Sequence, residues 1–175
     1  VKSVYASKYK LKNAIYELGP TGFPFEKYIG KILASEGYKV LLNQSLKGKC
    51  VDHEIDIVAI KDSIRNLFEC KFHSEEDRYC DVKTPLYIHA RFSDIREQEK
   101  EDTKIPGWLV TNTRFTNDAT QYAKCVGLRL ISWNYPEKNS LKHLVDKSRL
   151  YPITVSTLLS EKEKDFLLQR EIVLG

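Results

Sequence analysis

Methionine is missing altogether, and no apolar run is long enough to cross a bilayer or to act as a leader segment. A membrane-spanning helix is therefore not expected. The four cysteines, Cys50, Cys70, Cys80 and Cys125, are too few and too scattered for a disulfide framework. They exclude a small cross-linked scaffold and point to a reduced, cytoplasmic setting. Repeats and low-complexity tracts are absent as well. Excess positive charge is scarce: the formal balance of +4 is compatible with a phosphate-rich partner but far from a histone-like footprint. The chain starts at Val1 and stops at Gly175, directly behind the apolar Ile172-Val173-Leu174. A piece of a longer polypeptide with neighbouring domains is the expectation.

What is present suffices for one core, since 42% of the 175 residues are hydrophobic. Residues 1–20 place Tyr5, Tyr9, Leu11, Ile15 and Leu18 among basic residues before Gly19-Pro20. They read as a short helix and stop, forming an arm or linker from a preceding domain. From Phe23 to about Glu36, Phe25, Tyr28, Ile29, Ile32 and Leu33 follow the spacing of an amphipathic helix, which Gly37 ends. Three strand-like runs come next, Tyr38 to Leu46, Val51 to Ile60 and Asn66 to Phe72, separated by Lys47-Gly48 and Lys61-Asp62-Ser63 as turns. A polar loop from His73 to Val82 leads to a helix from about Pro85 to Lys100 and a strand from Gly107 to Thr111. A helix from Asn117 to Val126, capped by Thr116 and stopped by Gly127, precedes a strand from Leu128 to Trp133. That alternation implies parallel pairing. Leu141, Leu144 and Val145, and then the capping box of Ser160 with Glu163, mark a C-terminal extension of peripheral helices over 137–175. The fold class is α/β, with a mixed central sheet flanked by helices.

Chemistry concentrates on the third strand. Residues of equal parity share a face, so Glu69 and Lys71 point one way while Phe68, Cys70 and Phe72 point the other. A Glu-x-Lys triplet alone usually marks a solvated face. Pairing Ile60 with Arg65, or Lys61 with Ile64, gives one register about the Asp62-Ser63 turn, and that register sets Asp56 opposite Glu69. Two carboxylates side by side repel unless a cation or a proton lies between them. Carboxylate oxygens suit a hard divalent ion such as Mg²⁺, and Lys71 is placed to orient or help deprotonate a water. Glu26 lies at the edge of the first helix's apolar stripe, with Gly30 one turn later permitting close approach to the sheet. It is expected to reach the same cluster.

These residues resemble the PD-(D/E)xK nucleases, and within them the Mrr-like restriction endonucleases, whose core is similar to that of archaeal Holliday-junction resolvases. The matching pieces are Gly22-Phe23-Pro24-Phe25-Glu26, Gly37-Tyr38-Lys39-Val40, His53-Glu54-Ile55-Asp56 and Glu69-Cys70-Lys71. Trp108-Leu109-Val110-Thr111-Asn112-Thr113-Arg114-Phe115-Thr116, with the helix behind it, matches the strand-to-helix segment. The resemblance covers about Thr21 to Pro136. It implies a restriction-endonuclease-like αβββαβ core over 21–136 that hydrolyses DNA with Mg²⁺ or Mn²⁺. Asp56, Glu69 and the Cys70 backbone carbonyl would hold the ion, Lys71 would serve the nucleophile, and Glu26 would help. Cys70 stands where many relatives carry an aliphatic residue, and its apolar-side position makes it a small buried hydrophobe. Val4-Tyr5-Ala6-Ser7-Lys8-Tyr9 also resembles the tail of an ATP-cone domain.

Other candidates have plainer readings. Cys50 with His53 and Cys70 with His73 spell Cys-x2-His, yet positions three apart on a strand face opposite sides and do not converge on zinc. His53 and Glu54 read as a polar pair at a strand edge. Arg91 and Arg96 on the long helix, and Asn112 and Arg114 at a strand end, are candidates for DNA phosphate contacts. Cutting two strands often needs two sites, so a homodimer is expected. The competing function is a nucleic-acid-binding or regulatory module that keeps the fold without cleaving.

Overall fold

The computed structural model describes residues 10–99 and 103–175. The stretch similar to an ATP-cone tail, and Lys100 at the expected end of the long helix, lie outside them. Helix α1 occupies residues 10–16 and α2 spans Phe23–Ser35. Three strands follow, β1 (Lys39–Lys47), β2 (Asp52–Lys61) and β3 (Ile64–Lys71). After a two-residue strand β4 (Tyr79–Cys80) come α3 (Lys83–Gln98), β5 (Gly107–Thr111), β6 (Arg114–Phe115), α4 (Asn117–Val126) and β7 (Arg129–Ile131). Helices α5 (Leu141–Ser148) and α6 (Glu161–Gln169) close the chain, with a 3₁₀ turn at Ile153–Val155 between them.

The main sheet has the order β1-β2-β3-β5-β7. Its first three strands are antiparallel and its last three parallel, so β3 is the seam between the two kinds of pairing. The register about the β2–β3 turn is the expected one, with Ile60 opposite Arg65 and Lys61 opposite Ile64. Asp62 and Ser63 both have positive φ, 51° and 63°, the geometry of a tight two-residue hairpin turn. Helix α4 begins at Thr116, whose hydroxyl accepts from the Ala119 amide, and ends at Gly127 in the left-handed region at φ 72°.

Each sheet face has its own core. One buries Phe25, Tyr28, Ile32, Ile57 and Phe68 with residues from α1, α5 and α6; the other buries Val58, Leu67, Phe92, Ile95 and Leu109 with residues from α4. Helix α2 comes close to the sheet at Gly30, where a Cβ would stand 3.1 Å from Leu42.

Two expectations need correcting. The stretch read as an N-terminal arm is, from residue 10, part of the core: Leu11, Ile15 and Leu18 are buried in the first cluster. Burying that apolar stripe is worth more than leaving it on a linker. The loop after β3 is not wholly irregular, because β4 pairs in parallel with β6 and buries Cys80. A two-residue strand is too short to leave a hydrophobic period in the sequence.

Candidate active site

The site forms where β2 and β3 part. Their ladder ends at Ile57 opposite Phe68, one step before Asp56 and Glu69. On the other side of β2, Asn43 of β1 has φ 49° and drops out of the pairing with β2, which resumes at Gln44 opposite Ile55. This break lets Ile55 and Ile57, two residues apart, join opposite cores. Asp56 is at the break, and its Oδ2 accepts from the Cys70 amide at 2.8 Å. That bond seats its carboxylate against the backbone of the Glu69-Cys70-Lys71 strand.

Glu26, Asp56, Glu69, Cys70 and Lys71 line one cleft of about 410 Å³, with Lys83, Thr84, Tyr87 and Arg91 from α3 on its far wall. Glu69 is buried at 5% exposure. Burial first, and then the charge of Asp56 and a hydrogen bond with it, push its carboxyl up to about 9. Burial, followed by the charges of Asp56 and Glu54, raises Glu26 to about 7. Arg91 Nη1 lies 2.9 Å from Glu69 Oε1 but off hydrogen-bond geometry, so that buried oxygen has no hydrogen-bond partner. Lys71 is exposed at the mouth. Burial lifts the Cys70 thiol well above its ordinary value, and the residue packs against the apolar core.

The donor set suits a hard divalent cation. Three carboxylates line the cleft, two of them driven toward neutrality by burial and by crowding that a cation would relieve, and one buried oxygen of Glu69 has the Arg91 ion pair but no hydrogen bond. Among the described residues no three His, Cys, Asp or Glu side chains form a ready-made cage.

The four candidates for phosphate contact separate. Arg91 is at the site, where it also donates to the Glu54 carbonyl. Arg96 donates to the Ile105 carbonyl at 3.0 Å and serves as a structural tie. Asn112, 1% exposed, clamps the chain beyond β3, accepting from the His73 amide at 2.8 Å and donating to its carbonyl at 2.7 Å. Arg114 lines a separate cleft of about 160 Å³ with Lys12, Tyr16 and Glu76. His53 meets Asp94 of α3 at 2.7 Å, and the Cys50 amide donates to the same carboxylate at 2.9 Å. Lys83 and Tyr87 escaped the sequence reading. Their signal was the four-residue spacing with Arg91, which only a known facing cleft makes meaningful.

A restriction endonuclease family model matches residues 20–135. An uncharacterized protein of Archaeoglobus fulgidus is 40% identical over 127 residues, 73% of this chain and 70% of that one. A crystal structure of a protein of unknown function superposes with a TM-score of 0.74 at 33% identity, covering 88% of this chain and 80% of the other. A DNA modification-dependent restriction endonuclease shares the fold at a TM-score of 0.50 and 15% identity, over 95% of this chain and 40% of that one.

Proposed function

The chain belongs to the Mrr-type restriction endonuclease family, and from that premise we propose that it hydrolyses DNA phosphodiester bonds with the aid of Mg²⁺ or Mn²⁺. The observation that carries this reading is the neighbouring carboxylates of Asp56 and Glu69, one buried oxygen of which accepts no hydrogen bond, beside Lys71 in an open cleft. Asp56, Glu69 and the Cys70 carbonyl would hold the ion. A divalent ion there supplies Lewis acidity toward the phosphoryl group and its attacking water. Lys71, at the mouth, orients that water for in-line attack and takes up part of the charge that develops. Glu26, balanced near neutrality, completes an outer or second metal position. Arg91, held between Glu69 and the Glu54 carbonyl, is poised to meet a phosphate.

The catalytic unit extends beyond 21–136, because α1 and the helices over 137–175 complete one of its two cores. The free cysteines fit a reducing cytoplasm. Among the described residues no helix is long and apolar enough to cross a membrane. A double-strand cut would take two copies of the site, and hence a homodimer.

Incubation with supercoiled plasmid and Mg²⁺ or Mn²⁺ tests the activity. Nicking is expected, and EDTA is expected to abolish it. Asp56→Ala, which removes a ligand of the ion, and Lys71→Ala, which removes the group that serves the attacking water, should each slow it by about 10²-fold or more. Cleavage that persists in EDTA, or is undiminished in either variant, would refute the mechanism. Salt-sensitive binding without product would favour a non-cleaving module.

A further inference from the structure

Helix α3 packs on the sheet through Pro85, Ile88, Phe92 and Ile95. Its other face carries Lys83, Tyr87 and Arg91, spaced by four, and all three line the cleft that holds the carboxylates. Residues at that spacing lie on one face, about 6 Å apart along the axis. Tyr87 is 64% exposed, and the neighbouring Leu86 is 44% exposed. A solitary exposed aromatic needs no explanation. This one stands at the rim of an acidic cleft between two cations, with the Arg91 guanidinium 5.4 Å from its ring centroid. The ring thus lines the cleft with most of its surface exposed.

We propose that the Lys83-Tyr87-Arg91 face seats an unpaired DNA strand, with Tyr87 stacking on a base next to the scissile phosphate. The substrate is then single-stranded or flap DNA in preference to continuous duplex. Bases within a duplex are stacked on one another and present only their edges, so a ring at this position finds a base face only where pairing is lost. Lys83 and Arg91 neutralise phosphates to either side, an arrangement of cations and aromatic rings that suits single strands of any sequence. The proposal rests on the nuclease reading for the polymer and for the place of the scissile bond, not for the binding mode.

Binding is measured by fluorescence anisotropy in EDTA, with the full chain, a labelled single-stranded oligonucleotide and the same sequence as duplex. A 2-aminopurine strand reports stacking. The single strand should bind about tenfold more tightly than duplex, and Tyr87→Ala should cost it about tenfold while leaving duplex binding unchanged. Tyr87→Phe should restore both the affinity and the 2-aminopurine quench. Equal or tighter duplex binding, no binding to either form, or a Tyr87→Ala protein that keeps its melting temperature and its single-strand affinity would overturn the proposal. Because no metal is present, failure to cleave any DNA counts against the nuclease reading alone. Duplex preference with normal cleavage counts against this inference alone.

Discussion

Glu69 has the highest-stakes side chain in the molecule. Its carboxyl is buried, stands against Asp56 and is raised to about 9, so it holds a proton at neutral pH that unfolding would release. Its contribution to stability is therefore full below the ordinary glutamate value of 4.5 and is lost as pH rises through about 9. The opposing Arg91 offsets this only in part. Glu69→Gln removes the penalty and should raise the melting temperature of the metal-free protein at neutral pH by about 2–4 °C, the shift expected for about 1 kcal/mol in a chain of this size. On the proposed metal site, Mn²⁺ should stabilise the parent, by an amount that grows with pH because the ion displaces a proton, and the same variant should lose that gain. Scanning calorimetry with and without Mn²⁺ checks both. A Glu69→Gln protein less stable than the parent without metal would mean that the Arg91 contact outweighs the crowding.

At the scale of elements, α3 is pinned to the β1–β2 loop through one carboxylate. Asp94 accepts from the amides of Cys50 at 2.9 Å and Val51 at 3.3 Å and meets His53 Nε2 at 2.7 Å, while its carbonyl accepts from Lys49 at 3.0 Å. The His53 bond foremost, with the amides, holds its carboxyl at about 2 against an ordinary 3.8. A depressed carboxylate stabilises above its unfolded value and loses that contribution as pH falls through its folded one. Asp94→Asn should therefore lower the melting temperature at neutral pH, and the gap from the parent should close as pH drops from 3.8 toward 2. Thermal melts across that window check it, and a gap independent of pH would contradict the assignment. This pin was invisible in the sequence, since its partners lie about 40 residues apart and loop amides leave no pattern. The β2–β3 register, by contrast, was legible, because a two-residue turn leaves a hairpin little freedom and Asp56 then falls beside Glu69. The break at Asn43, which moves Asp56 out of the regular ladder, shows in no periodicity. Lys83 and Tyr87 looked like ordinary helix surface until the opposite wall was known.

At the scale of the whole molecule, one core is shared by segments far apart in sequence. Leu141 and Val145 of α5 are fully buried with Phe25 and Phe68, and Tyr28 donates to the Leu150 carbonyl at 2.8 Å. Thr154 donates to the Ala14 carbonyl, so the chain's two flanks tie to each other as well as to the sheet. A chain ending at residue 136 should therefore lose its sharp cooperative urea transition, even though it keeps every proposed catalytic residue. Cooperative unfolding of that fragment, at a midpoint close to the parent's, would show the C-terminal helices to be dispensable.

The position of β3, buried on both faces at the seam of the sheet, has a consequence for quality control. If β3 slipped by one residue, every side chain would change sides: Phe68 would face Asp56 in the cleft, and Glu69 would be driven among the aromatics of the larger core. No misregistered form could be both compact and active. The proposed DNA cleavage would thus double as a readout of correct strand alignment, and specific activity per folded molecule should then be all or nothing across refolding preparations.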